Sequence, residues 1–260
     1  MEPEIPLKTS ADVSRVRVSA RLLGRILSDL SKLVVEGKSV ADIAAYCETR
    51  LSKAGAEASQ RRMGFPAAAC VSVNNVAAHG IPGPRHLEAG DLVTVDISTR
   101  LQGWAADAAW TYLVGSGSAD ALRVLRAAWS TTKAGVAACR AGRRLGDVGA
   151  VIEHTAARHG CSVVREFTGH GIGEKLHEAP AVPNTGTPHT GTPIVPGMVL
   201  TIEPVVSLGT GEVTRLDDGW TYVSRDGALT AQFEQTVAVF SDRTEVLTFD
   251  RLLDTDVPPY

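Results

Sequence analysis

The sequence predicts an α+β fold made of two similar halves. Three observations carry this: apolar residues recur at helical steps in residues 10–56 and again in 119–160, the blocks that follow each read as strands, and the two kinds of block are segregated rather than alternating. The 260 residues are expected to form one domain, with a short extension over 1–9 and halves of about 10–115 and 119–250.

In residues 10–36, Val13, Val16, Ala20, Leu23, Ile26, Leu30 and Leu33 fall at steps of three and four, the apolar face of an amphipathic helix. Gly37 follows, where a left-handed cap is expected. Ser39-Val-Ala-Asp42 is a capping pattern that opens a second helix, burying Ile43, Cys47 and Leu51. Strands are expected between 68 and 115. A third helix over 119–140 places Leu122, Leu125, Trp129, Val136 and Cys139 on one side, and a fourth from near Arg144 to His159 buries Leu145, Val148 and Ile152. Strands return at 198–208, 220–224, 229–240 and 244–249. The Thr- and Gly-rich stretch from Pro183 to Pro193 reads as a surface loop.

Composition narrows the function. With 44% hydrophobic and 21% charged residues, a net charge of −3 and acids and bases interspersed, the chain has no basic stripe for nucleic acid. No run of about 18 apolar residues offers a membrane span. The first residues carry acids and no apolar run, so no signal peptide is expected. Cys47, Cys70, Cys139 and Cys161 are scattered without a CxxC pair, which suggests free thiols in the cytoplasm.

Five residues stand out as metal ligands: Asp96, Asp107, His170, Glu203 and Glu234. Four carboxylates and an imidazole suit divalent Mn, Fe, Co, Ni or Zn without choosing among them. Two such ions about 3.5–4 Å apart share and activate one water, which makes hydrolysis the first hypothesis. In VTVDIS, Asp96 alternates with Val93, Val95 and Ile97 and so faces away from them; Gln102-Gly103 is a turn that brings Asp107 back beside it. The alternative is a pair of edge-strand aspartates that discourage aggregation. His170 lies between glycines in TGHGIG, whose spacing does not fit a dinucleotide-binding loop. Glu203 ends an apolar strand before Pro204. Glu234 sits within an apolar strand, where a metal would offset its burial; a solvated outer face is the alternative. His79 closes a strand, Cys70 to Val76, expected to neighbour the Asp96 hairpin.

The ordered motifs SVNNVAAHGIP, VTVDIST, TGHGIG, HEAP, PGMVLTIEP, DGWT and AQFEQT resemble those of type I methionine aminopeptidases over residues 59–240. The resemblance implies the pita-bread fold, two pseudo-symmetric halves around a central antiparallel sheet, with a two-metal site between them. It implies that Asp96, Asp107, His170, Glu203 and Glu234 hold the two ions, and that Asn74 and Val76 mark a site for a monovalent cation. It makes Glu203 the proton carrier and sets His79 and His177 against substrate at the leaving nitrogen and the carbonyl oxygen. Phe65, Cys70 and Trp220 would line the side-chain pocket, while Arg62, Met63 and Leu176 depart from the family's usual pocket residues. The implied activity is release of an N-terminal methionine ahead of a small second residue. Nascent polypeptides would be the partners, with transient ribosome contact, and the chain would act as a monomer. A prolidase-like enzyme and a non-catalytic peptide-binding relative are the competing readings.

Overall fold

The structure, a computed structural model, describes residues 4–249. Helices α1 (Ser10–Leu30) and α2 (Val40–Lys53) come first, then β1 (Glu57–Ala58), the single-turn α3 (Ser59–Arg62), β2 (Cys70–Val73) and β3 (Val76–Ala78). The long hairpin of β4 (Leu92–Leu101) and β5 (Trp104–Leu113) completes the first half. Helices α4 (Ala119–Ala138) and α5 (Leu145–Arg158) open the second. They are followed by β6 (Ser162–Val163), β7 (Thr168–Gly171), β8 (Glu178–Pro183), β9 (Val199–Ile202) and β10 (Val205–Ser207). The last strands are β11 (Val213–Arg215), β12 (Tyr222–Ser224), β13 (Thr230–Gln232), β14 (Gln235–Val239) and β15 (Thr244–Val246).

Local chemistry explains most of these boundaries. Thr9 caps α1 by accepting from the Asp12 amide while Asp12 accepts from the Thr9 amide, and Ser39 accepts from the Asp42 amide at the start of α2. Gln102 and Gly103 both have positive φ, as the tight turn between β4 and β5 requires. Helix α1 stops at Leu30 rather than 36, in a turn that still buries Val34.

Among the described residues all strand pairs are antiparallel. In the first half, β4 lies between β5 on one side and β1 and β2 on the other, under α1. In the second half the order is β15-β14-β9-β7-β8, with α4 and α5 packed on the outside. Strand β5 meets the second half along a seam stitched by two threonine hydroxyls, one bonded to β13 of the separate ladder β13-β10-β6 and one carried by β14. Thr111 Oγ1 of β5 donates to the Gln232 carbonyl (2.7 Å) and accepts from the Gln232 amide (2.9 Å). Thr236 Oγ1 of β14 does the same for Asp107, at 2.7 and 3.2 Å. Beneath the seam, Phe233 is wedged edge-on between Trp110 (4.9 Å) and Trp129 (5.2 Å). Each such aromatic pair is worth about 0.5–1.5 kcal/mol beyond its area.

Three expected strands are interrupted. The 198–208 strand breaks after Ile202, and the 229–240 strand breaks after Gln232, its halves joining different ladders. The Cys70–Val76 strand is split by a turn at Asn74, whose φ is +57°, so β2 pairs with β4 whereas β3 pairs with β12. Short strands β6, β7 and β8 fall where none was expected.

Candidate metal centre

The five expected ligands converge at the seam, from both sides. Asp96 and Asp107 rise from neighbouring strands of one hairpin, where Ser98 pairs with Asp107 and Cys70 pairs with Asp96. Since β4 is flanked on both edges and Asp107 on β5 is buried, neither aspartate is a solvent-facing edge-strand guard, and that alternative falls. Gln60 holds it: the Gln60 amide nitrogen donates to the Asp96 carbonyl (3.0 Å) and carboxylate (3.3 Å), and its oxygen accepts from the Ser98 amide (3.0 Å).

His170 occupies β7, squeezed between β8 and β9. A Cβ at Gly169 would overlap the Thr201 carbonyl and one at Gly171 the Ala179 carbonyl, so glycines on both sides are what allow the approach. His170 Nδ1 lies 2.9 Å from the Gly171 carbonyl, which fixes Nδ1 as the donor. Nε2 is left as a lone pair facing Glu203 Oε1 at 3.5 Å and Asp107 Oδ2 at 3.9 Å. Thr201 braces this wall, accepting from the His170 amide (2.9 Å) and donating to Glu203 Oε1 (2.7 Å).

Glu203 and Glu234 stand at the two strand breaks, one residue beyond the Ile202–Gln235 pair. The Glu234 amide donates across the seam to the Ala109 carbonyl (2.9 Å). Glu234 is 1% exposed, which rules out the solvated-face alternative. Ligand atoms of Asp107, His170 and Glu234 lie within 4.8 Å of one another.

The electrostatics of this cluster call for a cation. Burial lifts the Asp96 carboxyl to about 7 and that of Glu203 to about 8, from 3.8 and 4.5. Burial, reinforced by the neighbouring carboxylates, drives Asp107 and Glu234 well above the ordinary carboxylate range. His170 is pushed down to about 4, first by burial and then by His177, so its imidazole is neutral and free to coordinate. Glu234 Oε1 is buried with no hydrogen-bond partner. Four converging carboxylates without a cationic side chain, one of them with an orphaned oxygen, fit hard divalent ions.

Beside the cluster lies a cavity of about 300 Å³. Phe65, Cys70, Trp220, His79 and His177 all line it, as do Met63 and Leu176. Phe65 and Trp220 meet edge-to-face at 5.4 Å. Burial and then the Asp96 carboxylate hold the Cys70 thiol well above its usual range, so it stays a neutral, slim wall. His177 stacks edge-on against His170 at 4.3 Å. Desolvation keeps both His79 and His177 below the usual histidine value, His79 further lowered by His177. Arg62 departs from the group: it lies outside this cavity and pairs with Glu57 at 2.7 Å.

A family model described as metallopeptidase family M24 matches residues 14–240. The methionine aminopeptidase of Treponema pallidum (strain Nichols) is 40% identical over 245 residues, covering 94% of this chain and 96% of its own. The chain belongs to the methionine aminopeptidase branch of metallopeptidase family M24. It is accordingly a metal-dependent peptide hydrolase with the pita-bread fold. The crystal structure of a methionine aminopeptidase from Thermotoga maritima superposes with a TM-score of 0.93 at 34% identity, covering 95% of this chain and 100% of that one. A prolidase from Pyrococcus horikoshii shares the fold alone, with a TM-score of 0.75 at 20% identity, and this chain covers 64% of it.

Five neighbours of the site were not foreseen: Gln60, Thr201, Thr236, Phe167 and Tyr222. Thr201 carried a signal, since it precedes Glu203 by two and shares its face in strand alternation. Phe167 and Tyr222 box His79 edge-on at 5.5 and 5.9 Å, and neither lies near it in sequence. Gln60 lies in a single helical turn without periodicity of its own.

Proposed function

We propose that the enzyme removes an N-terminal methionine from peptides and nascent polypeptides whose second residue is small, with Asp96, Asp107, His170, Glu203 and Glu234 holding two divalent ions. The observation that carries this reading is a cluster of buried carboxylates opening directly onto a narrow, apolar and partly aromatic cavity. The bound ions would supply Lewis acidity and a water that ionises near neutral pH.

The rest follows from the side chains. Phe65, Cys70 and Trp220 take the unbranched thioether chain, which suits a slim slot with soft walls. His177 donates to the carbonyl oxygen as negative charge develops there. Glu203, beside the nucleophile, takes the proton of the attacking water and passes it to the departing amine. Neutral His79, boxed by Phe167 and Tyr222, steadies that nitrogen. Met63 and Leu176 at the cavity wall set how broad the substrate range is.

A monovalent cation fits the carbonyls of Asn74 and Val76, which both already face Thr230 Oγ1, at 2.9 and 3.1 Å. Action on nascent chains, as a cytoplasmic monomer with transient ribosome contact, completes the proposal; no described helix is long and apolar enough to cross a membrane. Release of methionine from Met-Ala-Ser, set against hydrolysis of proline-containing dipeptides, tests it. Cleavage of the former alone is expected, and preference for the latter would replace this reading with the prolidase one.

A further inference from the structure

Lys8 and Glu178 form an ion pair in which each side chain is only 6% exposed, joining the segment before α1 to the loop that carries His177. Both partners are anchored. The Lys8 amide donates to the Gly197 carbonyl (2.7 Å), and the next residue, Thr9, is locked into the α1 capping box. Glu178 begins β8, pairs with Gly171 and accepts from the Lys175 amide through Oε1 (3.1 Å). The loop between is clasped from the other side, where the Gly173 carbonyl accepts from the Ala105 amide of β5 (2.7 Å). A Cβ at Gly173 would overlap Lys8 Cε, so the loop has been drawn in as closely as a backbone allows.

The segment pinned in this way is Gly173 to Glu178, and among its residues Leu176 and His177 reach the cavity. His177 itself is exposed on one side, and its contact with His170 is a ring edge rather than a hydrogen bond. Among the described residues no hydrogen bond holds the His177 ring, whereas Glu178, next to it in the chain, is held by the ion pair. We infer that Lys8, through Glu178, is a positioning residue: it sets the distance of His177 from the substrate carbonyl, coupling the chain's N-terminal segment to turnover. Without Lys8 the Glu178 carboxylate loses its counter-charge in a dry site and turns outward for water, carrying the adjacent His177 with it. The inference rests on the role given to His177 above.

The test is a double-mutant cycle on the metal-loaded full-length enzyme, measuring kcat, KM and metal content with Met-Ala-Ser. Lys8→Met is expected to lower kcat about 10-fold, since an ångström of misplacement costs up to about 100-fold, with KM and metal content close to wild type. Glu178→Gln should match it, and Lys8→Arg should recover most of the loss. In a His177→Ala background, Lys8→Met should cost nothing further, whereas a merely structural role would cost the same again. Unchanged kcat in Lys8→Met, or an equal loss in both backgrounds, overturns the inference. Full activity in His177→Ala would instead overturn the role of His177 from which it starts.

Discussion

The two walls of the metal centre are built differently. On the first, Asp96 and Asp107 sit within continuous, mutually paired strands, and the ladder itself fixes their spacing. On the second, Glu203 and Glu234 stand where strands break, and His170 lies on a strand that only glycines allow into place. There the geometry depends on side chains, above all the Thr201 hydroxyl that touches both His170 and Glu203. One wall is backbone-determined and the other is braced, so the second should be more easily damaged by changes that spare the ligands.

The ligands themselves offer the harshest way to break this contrast. Asp107→Asn and Glu234→Gln come from opposite walls, yet both should lower kcat/KM by about 1,000-fold or more, because each removes charge worth several kcal/mol at the ions. Circular dichroism should remain that of a folded chain. Wild-type turnover in either variant would remove the metal assignment.

The braces should then separate the walls. Thr201→Val is expected to weaken divalent-ion affinity about 10–100-fold, the usual cost of losing a partner that orients a ligand. Gln60→Leu, on the ladder-held wall, should cost less than Thr201→Val in the same titration. Equal losses would mean that the ladder contributes no rigidity of its own.

Acidity gives a third handle. In the ion-free protein Asp96 and Glu203 titrate near 7 and 8 against ordinary values of 3.8 and 4.5. The folded chain thus retains protons that the unfolded chain has released, and stability falls as pH rises through those values. His170, held near 4 against 6.5, acts in the opposite sense only below 6.5, where the unfolded chain alone gains its proton. Between pH 6.5 and about 8 the carboxylates govern, so the melting temperature of EDTA-treated protein should fall across that window. Added Mn should flatten the dependence, and a flat profile without metal would contradict the electrostatics.

The seam between the walls should give the smallest effect. Thr236→Val strips the Asp107 amide of its buried acceptor and should cost about 1–3 kcal/mol in urea unfolding, with a milder effect on turnover than any ligand change.

The same contrast explains what could be read from the sequence. Asp96 and Asp107 were legible because alternation and a Gln-Gly turn place them together by rules that operate within a few residues. The four long helices were legible for the same reason, apart from the end of α1, where apolar residues continue at helical spacing into a turn; the single turn α3 was not. Glu203 was legible as a strand end through Pro204, but Glu234 was not: the apolar run around it masks the interruption, where Phe233 lodges between Trp110 and Trp129 from other elements. The supports Gln60, Phe167 and Tyr222 were illegible since long-range packing alone brings them to the site.

The most direct test of the account is a crystal of the Mn-loaded protein with anomalous scattering. Two peaks about 3.5–4 Å apart, touched by Asp96 and Asp107 from one wall and His170, Glu203 and Glu234 from the other, are predicted. Peaks lying away from these five side chains, or ions bound by one wall alone, would contradict it.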